Sequence, residues 1–207
     1  ESWGERGRLS IEITARQALE EELLERHGFE TDASFYRSHF DLTTELAERF
    51  PLEEGFTVVD MDSHPDHRAQ RILRQNAFEG QDDLSEEEIK ELMRRYGYVR
   101  EGPIYHPHTD LCIMAPDGTF VAGCEALIDA WNAEADIERV CTHSGYRRRG
   151  FGRVVIQECL YRLREIGMQK AYITGYSEAA VGLYSSLGAG ERTELLIYKQ
   201  VADTYAR

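Results

Sequence analysis

The 207 residues predict an α/β fold, a mixed and mostly antiparallel central sheet with helices on both faces. Three features carry that expectation. Residues 110–115 and 119–128 are strand-like runs separated by the turn sequence Pro116-Asp117-Gly118, and with 136–142 they form an expected antiparallel meander. Directly after it, Arg147, Arg148, Arg149, Gly150, Phe151 and Gly152 stand before a segment, 153–166, whose apolar residues Ile156, Cys159, Leu160, Leu163 and Ile166 form a helical pattern. Gly167 then stops that helix, and residues 170–175 read as a short buried strand.

From the N-terminus, residues 10–14 fit a short strand, 15–27 a helix closing at Gly28, and 34–40 a second strand by their alternation. Residues 45–55 are charged and punctuated by Pro51 and Gly55, which makes them the expected domain boundary. Residues 56–61 read as the first strand of the main domain. Ser63 and Pro65 then supply a cap and a first-turn proline for a helix reaching Phe78. Ser85 and Glu88 are spaced as a capping box, opening a helix whose Ile89, Leu92, Met93 and Tyr96 share one face.

The Arg/Gly stretch has the composition of an anion cradle. A helix starting near Gly150 leaves its first N–H groups unpaired, glycines let an anion approach the backbone, and guanidinium groups complete the enclosure. No Lys-Ser or Lys-Thr follows the second glycine, and the glycines lack G-x-G-x-x-G spacing, so neither familiar nucleotide loop is present. The pattern Arg147-x-x-Gly150-x-Gly152 instead resembles the acyl-CoA loop of the GNAT N-acyltransferase family. Downstream, residues 177–188 resemble that family's second signature, with Ser177, Ala180, Leu183, Tyr184 and Gly188 at its positions. The chain departs from the pattern at Ser177, where Asn is commoner, and at Ala189, where Phe is. Residues 21–29, ending in Gly28 and Phe29, are similar to a partial copy of the same helix-then-Gly-Phe ending. On that basis residues 1–45 are expected to be the tail of a preceding acyltransferase domain, arranged strand, helix, strand, with the main domain at 55–201. A start at Glu1 rather than Met fits a truncated or processed chain.

The resemblance implies acetyl or related acyl transfer from acetyl-CoA to a primary amine of a small molecule or peptide, by direct attack in a ternary complex. It implies that Val140, Cys141 and Thr142 pair with the pantetheine arm, that Arg147, Arg148, Arg149, Gly150, Phe151, Gly152 and Arg153 hold the pyrophosphate, and that Ser177, Ala180 and Tyr184 lie beside the cofactor. Tyr184 is the implied general acid; its plainer reading is a core tyrosine beside Leu183. For a base, strand alternation sets Glu138 on one face with Val140 and Thr142, and Glu125 is the alternative. A non-catalytic acyl-CoA sensor, or the structural half of a tandem acyltransferase, is the competing function.

Composition bounds the partners. With 24 basic and 38 acidic residues the net charge is −14, which argues against a nucleic-acid partner and makes the arginine cluster a local exception. A negative surface favours a cationic amine. No run approaches the ~20 apolar residues of a membrane span, so no membrane partner is expected. Cys112, Cys124, Cys141 and Cys159 are isolated, without a C-x-x-C pair, which points to buried free thiols in a cytoplasmic protein. His64 with His67 and His106 with His108 each surround a proline and lack a third ligand, so no metal is expected. A homodimer is left open.

Overall fold

The computed structural model describes residues 9–200. In chain order they form β1 (Ser10–Thr14), α1 (Ala18–Arg26), β2 (Phe29–Asp41), β3 (Thr57–Asp60), α2 (His67–Glu79), α3 (Glu86–Tyr96), β4 (Tyr105–Met114), β5 (Phe120–Asp129), β6 (Glu134–Thr142), α4 (Phe151–Glu165), β7 (Lys170–Gly175), α5 (Glu178–Ser185) and β8 (Arg192–Gln200). Among these residues one eight-stranded sheet runs in the order β1-β8-β2-β7-β6-β5-β4-β3. Every neighbouring pair is antiparallel except β6 and β7, which are parallel. The predicted mixed α/β sheet is thus the observed architecture.

The centre of the sheet is buried on both faces, so β5 is a nearly continuous apolar run rather than a polar–apolar alternation. On one face Leu111, Ile113, Ala126 and Ile137 pack with Val155, Ile156, Cys159, Leu160 and Leu163 of α4. On the other, Cys112, Phe120 and Cys141 pack with Leu73 of α2. Each large side chain removed from water here contributes roughly 1.5–3 kcal/mol before conformational entropy is subtracted.

Local signals account for most boundaries. Ser85 and Glu88 form the expected capping box of α3. Gly167, at φ 90°, closes α4 in the left-handed conformation. The cap of α2 is a correction: Asp66, not Ser63, accepts the Ala69 N–H at 2.9 Å. Ser63 is drawn away because its N–H and hydroxyl both donate to Asp60 Oδ1 at 2.8 Å.

Strand β8 was not anticipated. Its buried residues, Leu195 and Tyr198, are three apart, and that spacing hides a strand from period-2 reading. It lies between β1 and β2, and β2 in turn pairs with β7. Residues 10–41 therefore supply two strands to the same sheet as the rest of the chain. The connection that follows is fastened to α4: Gln157 accepts from the Phe50 N–H at 2.8 Å and donates to the Glu48 carbonyl at 2.9 Å.

Asp60 ties β3 to α4 and β4 through Arg162, whose guanidinium also donates to the His108 carbonyl at 2.9 Å. Burial alone would raise its carboxyl, but hydrogen bonds from the Ser63 N–H, Arg162 and the Ser63 hydroxyl outweigh that and hold it at about 2, below the ordinary 3.8. A depressed carboxylate stabilises the fold fully above its unfolded value and loses that contribution as pH falls toward 2. Asp60→Asn is expected to lower stability at neutral pH by about 1.5–3 kcal/mol, the range for hydrogen bonds to charged groups. The deficit should shrink between pH 4 and 2 in denaturant titrations.

Candidate functional site

The parallel pairing of β6 and β7 covers only Glu134, Ala135 and Asp136 against Lys170, Ala171 and Tyr172. Beyond that point the strands part. The β7-facing backbone edge of β6 from Ile137 to Thr142 is left without a strand neighbour, and a cavity of about 170 Å³ opens there. Ile137, Glu138, Val140, Ile173, Tyr176 and Tyr184 line it. An extended ligand could add to that edge through main-chain hydrogen bonds, as a peptide adds to a sheet.

A β-bulge shapes the same strand. Gly123 pairs with Cys141 and Glu125 with Glu138, so Arg139 and Val140 together oppose Cys124, and Arg139 takes φ 53°. The extra residue inverts the alternation. Ala135 and Ile137 pack on the α4 face, as does Val140, whereas Cys141 packs on the α2 face. Thr142 Oγ1 lies 3.5 Å from where a Cβ of Gly152 would stand, again on the α4 side. The expected shared face of Glu138 with Val140 and Thr142 is therefore corrected: the bulge lies between them. Glu138 nevertheless borders the cavity with Tyr184 because the strands have separated at its level.

Burial raises the Glu138 carboxyl above the ordinary 4.5, and the nearby Asp136 charge adds to the rise. The Tyr184 phenol is pushed up to about 12, by burial first and then by its neighbours, so it stays protonated at neutral pH. Its ring lies under the end of β7, where Gly175 is required: a Cβ there would be 2.8 Å from Val181 Cγ2. The alternative base, Glu125, is 2% exposed and ion-paired with Arg74 at 3.0 Å and Arg139 at 2.9 Å.

Past the end of β6, Gly150 caps α4 at φ 87°, a conformation that disfavours L side chains. Val154 is the first residue whose N–H reaches back to the Gly150 carbonyl, at 3.1 Å. The N–H groups of Phe151, Gly152 and Arg153 precede it and have no carbonyl within the helix, which is the backbone chemistry of an anion site. The arginines divide unequally. Arg147 donates to the carbonyls of Ala77 (2.9 Å) and Thr142 (3.4 Å), fastening the loop to α2. Arg149 turns to Glu53, at 2.5 Å, and lies 5.0–5.2 Å over the rings of Phe56, Tyr146 and Phe151. Arg153 donates to Ser186 Oγ at 3.0 Å. Exposed Arg148, at φ 67°, makes no ion pair among the described residues. Ser177 caps α5 by accepting the Ala180 N–H at 3.2 Å, and Ala180 packs toward the α4 core.

Sequence reading missed a second cavity, about 290 Å³, lined by Arg71, Arg74, Phe78, Tyr96 and Arg139 among others. Its only signal was the Arg71/Arg74 pair, three apart on α2. The four cysteines are buried and unpaired. Among the described residues no group of three His, Cys, Asp or Glu is placed to hold a metal ion, and no helix is long and apolar enough to cross a membrane.

A family model described as the acetyltransferase (GNAT) family matches residues 69–189. No curated protein matches the chain in sequence. Among solved structures the chain is similar to a GCN5-related N-acetyltransferase from Sphaerobacter thermophilus, at TM-score 0.72 and 17% identity over 95% of this chain and 61% of that one. It is also similar to a GCN5-related N-acetyltransferase from Kribbella flavida (TM-score 0.68, 20% identity, 96% and 70% covered). A tandem GNAT protein from the clavulanic acid biosynthesis pathway gives TM-score 0.68 at 13% identity, with 93% and 64% covered. At such identities the likeness is one of fold, and the chain spans 61% of the length of the Sphaerobacter protein.

The division of the arginines generates a test. If an anionic ligand such as CoA is held at the start of α4 through Arg148, Arg148→Ala should weaken its binding roughly tenfold, and less so at high salt. Arg149→Ala should lower thermal stability while CoA affinity, followed by calorimetry, changes little. The reverse assignment would show that Arg149 leaves Glu53 for the ligand.

Proposed function

The chain belongs to the GNAT acetyltransferase family, and we propose that it transfers an acetyl group from acetyl-CoA to a primary amine within a ternary complex. One observation carries the reading: a strand edge left open by the parting of β6 and β7 ends at Thr142, whose Oγ1 is 3.5 Å from where a Cβ of Gly152 would stand, beside the unpaired N–H groups at the start of α4. A pantetheine arm is an extended chain of amides, and a pyrophosphate is an anion; the two features suit them in that order. The backbone of Val140 and Thr142 would hold the arm, whereas that of Cys141, expected beside them, faces Gly123 of β5. The N–H groups of Phe151, Gly152 and Arg153, with Arg148, would hold the pyrophosphate.

In the reaction the amine nitrogen attacks the thioester carbonyl, the C–S bond breaks, the ammonium proton leaves and the sulfur departs as a thiol. Glu138, directly or through water, is the proposed proton acceptor. Its raised carboxyl brings it closer to the working pH than an ordinary glutamate. Tyr184 is the proposed donor to sulfur, kept protonated by burial. Holding both substrates in one cleft supplies much of the acceleration, up to roughly 7–11 kcal/mol in favourable systems. Residues 1–45 are proposed to be the end of a preceding acyltransferase domain, and the free thiols accord with a reducing cytoplasm.

With an accepting amine in hand, Tyr184→Phe keeps the ring and should lower kcat by roughly 10²-fold while acetyl-CoA affinity stays unchanged. Glu138→Gln should remove the acidic limb of kcat/KM, since the base acts only above its raised value and is lost as pH falls through it. Rapid thiol release by the Phe variant would reduce Tyr184 to a packing residue. Tight acetyl-CoA binding without thiol release by the unaltered chain with any amine would favour a sensor.

A further inference from the structure

The cavity that the sequence did not announce lies between α2, α3 and the bulge of β6, and it shares Phe78 and Arg139 with the cavity between β6 and β7. The two therefore adjoin, with Phe78 and Arg139 between them. The charge of the arginine-lined cavity is unusual for a chain of net charge −14. Arg74, 6% exposed, is paired with Asp110 at 3.2 Å and Glu125 at 3.0 Å, and Arg139 shares Glu125 at 2.9 Å. Arg71 has no carboxylate within 4.0 Å among the described residues; its guanidinium donates to Gln70 Oε1 at 2.8 Å. Three guanidinium groups thus face two buried carboxylates, and Glu79, exposed at the rim, pairs with none of them.

Tyr96 organises the surplus. The guanidinium carbons of Arg71 and Arg139 stand 5.0 and 5.6 Å from its ring centroid, so the ring fixes both cations without neutralising either. Arg71 is pushed down to about 10, by burial first and then by Arg74 and Arg139, which together outweigh the opposing pull of Glu125 and Asp110. His67 is likewise lowered, by burial and then by Arg100, Arg71 and Arg74. A part-buried cation lacking a counter-ion is costly unless a ligand supplies one.

We infer that the acceptor amine carries an anionic group, a carboxylate or a phosphate, which Arg71 and Arg139 bind while its amine reaches across Phe78 toward Glu138. Planar forks of N–H donors match both groups in bidentate fashion. The inference rests on the transferase reading and deepens it, replacing a generic cationic amine with a zwitterionic one such as an amino acid or an aminoalkyl phosphate.

The test uses matched amines with acetyl-CoA and follows thiol release: L-amino acids, their amides, aminoalkyl phosphates and plain alkylamines. The best anionic acceptor should exceed its neutral counterpart at least tenfold in kcat/KM, and whichever of the acid and phosphate arms responds identifies the anion. Arg71→Gln should erase the preference by raising KM, Arg71→Lys should restore part of it, and neither should lower thermal stability. Equal or better turnover of amides and alkylamines would overturn the inference and leave the transferase intact. Should no amine react, the transferase reading fails separately. The site is then read by calorimetry with N-acetyl amino acids, their amides and N-acetylaminoalkyl phosphates. Anion binding that Arg71→Gln abolishes supports the inference, and absence of anion binding, or its persistence in that variant, overturns it.

Discussion

The early end of the β6–β7 ladder is the constraint on which the rest of the molecule depends. Parallel strands normally continue pairing until one of them stops, yet here three residue pairs are made and both strands run on apart. The backbone groups exposed by this parting must find other partners, because unpaired peptide groups away from water are unfavourable. The fold holds the gap open from both sides. Strand β7 is fixed along its other edge by β2, from Tyr36↔Gly175 to Asp41↔Lys170. Strand β6 is held by β5 and bent by the bulge at Arg139. Neither strand can close the gap without breaking an established ladder.

The bulge connects this slot to the buried charges. By inserting Arg139 opposite Cys124, it turns one guanidinium toward Glu125, which already pairs with Arg74. Asp110 completes the cluster, accepting from Gln70 and Arg74; burial raises its carboxyl while Arg74 opposes the rise. Removing one member of such a cluster leaves the remaining charges buried and uncompensated, so it behaves as a unit. The slot and the arginine-lined cavity are thus shaped by one irregularity in one strand.

Where sequence and local geometry coincide, the fold was legible. The Pro116-Asp117-Gly118 turn, the Ser85/Glu88 box and the glycine stops at Gly28 and Gly167 depend on neighbours along the chain, and all occur where expected. What escaped depends on partners distant in sequence. The bulge follows from cross-strand register with β5, which shifts between Gly123 and Glu125. Arg147 and Arg149 look equivalent to Arg148 in a run of three. Only the positions of Ala77 and of Glu53, nearly a hundred residues upstream of Arg149, separate their duties. Arg71 and Arg74 read as an ordinary helical surface until α3 and β6 cover them.

Hydrogen–deuterium exchange with and without acetyl-CoA addresses the central claim, that the parted strands and the start of α4 form one ligand slot. Saturating acetyl-CoA should slow exchange at the amides of Val140 and Thr142, which face away from β5, and at those of Phe151, Gly152 and Arg153, with little change in β3 and β4. Unaltered exchange at both segments under saturation, with protection elsewhere, would contradict the account.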